Sequence, residues 1–260
     1  MMAEQIIKYM VSWLDEYSGK SGLGGFVVGV SGGIDSAVTS ALCAKTNRSV
    51  YALNMPIYQA PDQESLSDNH IKWLTSRYPN VRSAKINLTS ALKAFEHILP
   101  YDLQDGLTMA NTRSRVRMIT LYAYAGHHKM LVAGTGNKVE DFGVGFFTKY
   151  GDGGVDVSPI ADLLKTEVYE IGETLGIDAN ILKAPPTDGL WTDNRTDESQ
   201  IGATYGELEW AMKLEENDVD MEKLTDRQKK VLSTYRKFNT ANRHKMQPIP
   251  VCYIPSEFRK

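Results

Sequence analysis

The sequence predicts an α/β fold, a parallel sheet with helices on both faces. Three observations carry this. Short strand-like runs recur at 26–30, 49–56, 81–88 and 130–133. Stretches with helical spacing separate them, and strands alternating with helices imply parallel pairing through crossover connections. The first strand also runs into a double-glycine turn that opens a helix, the layout of an anion site at a helix N-terminus.

In chain order, residues 3–17 carry Ile6, Ile7, Met10, Val11 and Leu14 at helical spacing, an amphipathic helix. Residues 18–25 read as a glycine-rich linker. Phe26-Val27-Val28-Gly29-Val30 is the first strand, and the helix after it is expected over 37–44. Pro56 is expected to end the second strand, followed by a helix over 62–78. A third strand over 81–88 and a long helix over 107–126 follow. In that helix Arg113 and Arg117 share a face at spacing four, and Arg115 points away. Met130-Leu131-Val132-Ala133 ends at a second glycine loop, Gly134-Thr135-Gly136-Asn137-Lys138-Val139-Glu140. Lys165 opens a helix that Gly176 should cap. The prolines at 185 and 186 break the chain, and residues 188–200, polar and acidic, read as a mobile loop. Helices over 203–214 and 225–242 close the chain. With no internal repeat or interdomain linker, the expectation is one Rossmann-like domain spanning 1–260, with helical additions at both ends.

The chemistry concentrates in Ser31-Gly32-Gly33-Ile34-Asp35-Ser36. Adjacent glycines relax the backbone and leave it open to a ligand. Turn N–H groups and the following helix can then face a polyphosphate, with Ser31 and Ser36 as hydroxyl donors. Asp35 would repel that anion unless a divalent cation lay between them, and hard oxygen ligands suit Mg²⁺. A plain turn capped by serine and aspartate would give the same letters. The stretch lacks both the Gly-Lys-Ser/Thr ending of a P-loop and the Gly-x-Gly-x-x-Gly of a dinucleotide turn. Ligands bind beyond the carboxyl ends of such strands, so the second glycine loop should lie beside the first. It offers Thr135 as a donor and Glu140 as a second metal-ligand candidate. Met55–Gln59 lies at the same edge, either a plain connection or a contact for base or ribose. Gly145–Asp156 sets four glycines and two acids around an aromatic triplet and a lysine, a mixture that a purely structural loop rarely needs.

Composition narrows the partners. Apolar residues make up 42% and charged ones 23%, ordinary for a soluble globular protein, and the net charge of −3 favours neither nucleic acid nor an anionic membrane. Cys43 and Cys252 form neither a disulfide framework nor a zinc cluster, and the five histidines lack metal-ligand spacing. No signal peptide or membrane-length apolar run is evident, so a cytoplasmic protein is expected.

The pattern Ser-Gly-Gly-x-Asp-Ser resembles the pyrophosphate loop of ATP-pyrophosphatase enzymes. Together with Asn111–Met118, Gly134-Thr135 and Glu140, Gly145–Gly154, and Lys183–Thr187 followed by His244-Lys245, it makes the chain similar to the ammonia-dependent NAD synthetases. The resemblance spans almost the whole length, and the Phe-Phe-Thr-Lys-Tyr-Gly-Asp-Gly-Gly block is its most specific part. It implies that deamido-NAD⁺ attacks the α-phosphate of ATP through its nicotinate carboxylate. Pyrophosphate leaves, and ammonia then displaces AMP from the acyl adenylate. It assigns Gly29, Ser31, Gly32, Gly33, Asp35, Ser36, Thr135, Lys165 and Thr187 to ATP, and Asp35 and Glu140 to Mg²⁺. Arg115, Lys149, Asp156, His244 and Lys245 fall to deamido-NAD⁺. Asp35 and Lys165 are the catalytic candidates, and Asp152 or Asp156 is a candidate base for ammonia. Residues 141–144 look one residue longer than in some relatives. Glutamine-dependent relatives place a large amidohydrolase domain before the loop, so free ammonia is the expected nitrogen source here. The family also implies a homodimer, with the N-terminal helix and residues 107–126 at the interface. Competing readings are a GMP-synthetase-like or tRNA-modifying ligase, or a nucleotide sensor without catalysis.

Overall fold

The computed structural model describes the chain except Met1, Ala60, residues 188–195, Glu216, residues 218–220 and Lys260, and the side chains of Asp62 and Gln63. The sheet has four parallel strands: β1 (Gly25–Gly29), β2 (Ser49–Asn54), β3 (Val81–Lys85) and β4 (Leu131–Val132). Their order is β3-β2-β1-β4, with Phe26 opposite Val50 on one side and Leu131 on the other. The chain therefore steps outward from β1 through β2 to β3, then returns across β1 to β4. That reversal makes the carboxyl ends of β1 and β4 a topological switch point, where such sheets open a crevice. An isolated parallel bridge from Ala133 to Val157 extends that edge.

Both faces of the sheet are covered, as expected for parallel strands. On one face Phe26 and Val28 pack with α1 (Ala3–Ser21), α2 (Ile34–Lys45) and α6 (Lys165–Leu175) through Leu14, Val38, Leu42, Val168 and Ile171. On the other, Val27, Leu53 and Val132 meet α4 (Thr89–Ile98) and α5 (Gly106–His128) through Leu92 and Val116. A third cluster joins Val139 and Val144 to α9 (Tyr205–Glu215) and α10 (Asp226–Met246) through Leu208, Leu232 and Tyr235.

Several boundaries differ from the sequence reading. The first helix runs on to Ser21 because Ser18 is buried and its hydroxyl donates to the Leu23 carbonyl. Gly22, at φ +69°, is the left-handed residue that stops it. Helix α2 starts at Ile34, so Asp35 and Ser36 lie in its first turn. Strand β2 ends at Asn54 rather than at the proline, and β3 ends at Lys85. Residues 89–98, left unassigned above, form α4, in which Leu92 is buried and Leu88 and Phe95 share the helical period. Of the expected 188–200 loop, residues 188–195 lie outside the described residues and Asp197–Ile201 forms the short helix α8, following α7 (Ala179–Lys183). Val139–Val144 is a π-helix. Such a turn closes its hydrogen bonds one residue further along than an α-helix does.

Candidate active site

The Ser31–Ser36 loop leaves β1 at the switch point. Gly32 sits at φ +88°, a conformation most side chains resist. The serines brace the turn: the Ser36 hydroxyl donates to the Gly33 carbonyl at 2.9 Å and accepts from the Ser31 N–H at 3.1 Å. The first N–H groups of α2 have no helical acceptor and carry the positive end of its dipole. The second glycine loop lies alongside. The Thr39 hydroxyl of α2 reaches the Gly134 carbonyl at 3.5 Å, and the Asn137 amide donates to Asp35 Oδ1 at 3.3 Å. Thr135 stands half-buried between those contacts.

Lys165, the first residue of α6, joins the two loops. Its Nζ is 2.5 Å from Asp35 Oδ2 and 3.1 Å from Glu140 Oε1. The ammonium side chain is 3% exposed, while Asp35 and Glu140 retain 18% and 16%, so the carboxylates reach solvent where the lysine does not. Burial disfavours the charged ammonium, but Asp35 and Glu140 outweigh it and hold the Lys165 pKa above the ordinary lysine value. Burial pushes Asp35 up, with Glu140 adding to the rise and Lys165 opposing it. Asp141 is pushed up to about 8 by burial and by the charges of Glu140, Asp152 and Asp35.

Among the described residues, no group of three or more histidine, cysteine, aspartate or glutamate side chains is arranged to hold a metal ion. Two carboxylates do converge, and their donor atoms are all oxygen. That set fits Mg²⁺, which is commonly held by one or two carboxylates and completed by substrate phosphates and water.

A second cluster forms where residues 143–152 meet the C-terminal end of α10. Lys149 Nζ donates to the His244 carbonyl at 2.7 Å, and Lys245 Nζ donates to the Phe147 carbonyl at 2.7 Å. Arg115 donates to the Lys149 carbonyl at 3.3 Å. Four of the five residues assigned by resemblance to the dinucleotide are thereby brought together. Asn239 and Asn242 also donate to the carbonyls of Gly143 and Val144. Asp152 adjoins this cluster. Its Oδ1 accepts from the Ser114 hydroxyl at 2.6 Å and the Thr148 N–H at 3.0 Å. Solvent reaches Asp152, but the surrounding protein desolvates it enough to raise its pKa.

Asp156 is placed differently. Its Oδ2 accepts from the Val132 N–H at 2.8 Å and its Oδ1 from the Tyr122 hydroxyl at 3.0 Å, which ties it to β4 and α5. Thr187 is the last described residue before 188–195. Its neighbour Pro186 accepts from the Asp197 N–H at 3.1 Å. The arginines divide as their spacing implies: Arg117 donates to the Met55 carbonyl and to Gln59, Arg113 lies over the Tyr58 ring, and Arg115 turns to Lys149.

The comparisons with known proteins agree with this geometry. The sequence profile of the NAD synthase family matches residues 6–249. The chain belongs to that family. It is 34% identical over 258 residues to the NH(3)-dependent NAD(+) synthetase of Methanosarcina mazei, covering 94% of this chain and 96% of that one. Among solved structures, the NMN synthetase of Francisella tularensis superposes with a TM-score of 0.85 at 31% identity, covering 97% of this chain and 99% of that one. The NH3-dependent NAD synthetase of Campylobacter jejuni gives 0.79 at 25% identity, covering 97% and 100%.

Three site residues escaped the sequence reading. Asn137 is buried, and besides donating to the Asp35 carboxylate it accepts the Val139 and Glu140 N–H groups at 3.1 and 3.2 Å, so it ties Asp35 to the main chain at Glu140. Ser114 was passed over between two arginines. Tyr205 donates to Glu140 Oε1 at 2.5 Å, with its ring under the Lys165 ammonium at 4.7 Å. A buried amide in a glycine loop is a readable signal for Asn137. Tyr205 meets partners far away in the chain and has no local signature.

Proposed function

We propose that this chain converts deamido-NAD⁺ to NAD⁺ with ATP and ammonia, releasing AMP and pyrophosphate, as a carbon–nitrogen ligase. The observation that carries the reading is Lys165 bridging Asp35, in the first turn after the Ser31–Gly33 loop, and Glu140. Membership of the NAD synthase family supports the choice of substrates.

The first step sets a carboxylate against an anionic phosphate, so charge must be neutralised. The Ser31–Ser36 turn, the N-terminus of α2, Thr135 and Thr187 hold the triphosphate in this reading. Asp35 and Glu140 would hold Mg²⁺, which would supply charge that shields the phosphates and favours pyrophosphate as leaving group. Lys165 keeps its proton and adds fixed positive charge without reorganisation. Arg115, Lys149, His244 and Lys245 orient the dinucleotide so that its carboxylate meets the α-phosphorus, and positioning of this kind supplies much of the rate. The substrate brings its own nucleophile, so no protein nucleophile is required. In the second step ammonia must attack as neutral NH₃. Asp152 suits the task of taking its proton, because it adjoins the dinucleotide cluster and solvent reaches it. Asp156, also exposed but held at β4 by Val132 and Tyr122, is the alternative base.

No helix among the described residues is long and apolar enough to cross a membrane, in keeping with a cytoplasmic enzyme. Exposed apolar side chains on α1 and α5, among them Tyr9, Leu107 and Ile119, support the homodimer. The test is one reaction mixture of ATP, Mg²⁺, ammonium and deamido-NAD⁺. AMP and NAD⁺ should appear together, and both should vanish with EDTA. Because a mononucleotide-forming synthetase superposes closely, nicotinate mononucleotide is the control acceptor; its preferential turnover, or ATP cleavage to ADP, would refute the proposal.

A further inference from the structure

We infer that Tyr205 is a positioning residue for Glu140, aiming that carboxylate at the metal–phosphate subsite. The inference rests on the reading of Asp35 and Glu140 as Mg²⁺ ligands. Glu140 lies on a π-helix, and its side chain could swing unless something fixed it. Two donors do so, and both meet the same oxygen. Tyr205 gives its hydroxyl proton to Oε1 at 2.5 Å, and Lys165 Nζ reaches Oε1 at 3.1 Å. Both donors thus hold the carboxylate by one oxygen, on the side of the ammonium that also meets Asp35.

Tyr205 is itself held on three sides. Its ring is 5% exposed and packs under Lys165. Its N–H donates to Glu198 at 2.9 Å, and its hydroxyl oxygen lies 3.3 Å from Asp197 Oδ2. Asp197 in turn donates its N–H to Pro186, next to Thr187. One phenol therefore links the glutamate to the segment that carries an ATP-contact candidate. Partners that orient a metal ligand commonly matter nearly as much as the ligand, because they fix its geometry before the ion arrives.

The test uses the full chain with α,β-methylene-ATP and Mn²⁺ as the probe, followed by the electron paramagnetic resonance signal of the ion. Tyr205→Phe keeps the ring and removes only the hydroxyl. It should weaken Mn²⁺ binding about tenfold, within the range for second-layer changes at metal sites. The ligand-free melting temperature and the KM for deamido-NAD⁺ should stay as in the unaltered chain. Glu140→Gln should weaken Mn²⁺ at least as much, and the double variant should be no weaker than Glu140→Gln alone, since Tyr205 acts through that carboxylate. Unchanged Mn²⁺ affinity in Tyr205→Phe, or losses that add in the double variant, would overturn the inference. If Glu140→Gln binds Mn²⁺ as the unaltered chain does, the metal reading has failed and takes this one with it.

Discussion

Lys165 stands 2.5 Å from Asp35, a residue 130 positions earlier in the chain, and its ammonium is the buried member of the pair. The contact joins the first turn of α2 to the first turn of α6 and so fixes the two elements that frame the crevice.

Removing that ammonium should unbalance the site. Lys165→Met leaves Asp35 and Glu140 facing each other, and breaking a buried pair typically costs about 3–5 kcal/mol. The deficit should shrink on acidification, because burial raises the Asp35 pKa and loss of the opposing ammonium raises it further, so the cost of its charge is relieved as it takes up a proton at low pH. Thermal melts at pH 5 and pH 8 check this, and an equal deficit at both would count against it. Formation of AMP should fall about 10²–10³-fold, the usual loss for one preorganised donor.

Lys245 should report on the dinucleotide. Hydrogen bonds to charged groups are worth about 1.5–3 kcal/mol, so Lys245→Met should raise the KM for deamido-NAD⁺ by at least about tenfold. The KM for ATP should hold. A change confined to ATP would move the C-terminal end of α10 out of the dinucleotide site.

His70 predicts an acid limb in stability. It is buried against Ser40, with its ring Nε2 3.0 Å from the hydroxyl, and burial lowers its pKa to about 4 from 6.5. Below pH 6.5 the unfolded chain takes up a proton that the folded chain refuses. The penalty is absent above that value, grows as pH falls toward 4, and levels off below it at ~3 kcal/mol, counting 1.36 kcal/mol per pH unit. Urea melts of the unaltered chain and His70→Gln should diverge across that window. Parallel curves would refute the assignment.

Glutamine should not replace ammonia. Cys43 is buried, and burial pushes its thiol above the ordinary range, which leaves it a poor nucleophile. NAD⁺ formation in ammonia-free glutamine should stay at background; robust product would reveal a glutaminase function.

Much of this architecture could be read from the chain. The valines of β1 and the glycine pair after it announce strand, turn and helix, because backbone freedom and apolar burial are local properties. Asp35 announced a cation, since an acid in a phosphate turn needs one. Lys165 was visible only as a helix start; its role came from resemblance, because its partners lie on other elements. Tyr205 was missed for the same reason, whereas Asn137 sits in a glycine loop where its amide could have been read. Asp152 and Asp156 show the opposite limit: carboxylates in a glycine-rich block look free to act, but the fold ties each to a main-chain N–H and a hydroxyl. Helix α4 was overlooked although its period was present.

The brace between α10 and the glycine block has a consequence for biosynthesis. Phe147 and Val144 obtain their donors from Lys245 and Asn242, each 98 positions later in the chain. Until α10 has been synthesised, the strands of the sheet and the Ser31–Ser36 turn already have their sequence, but the 143–149 segment lacks these donors. A message truncated before Asn242 should therefore yield a chain whose glycine block is unbraced.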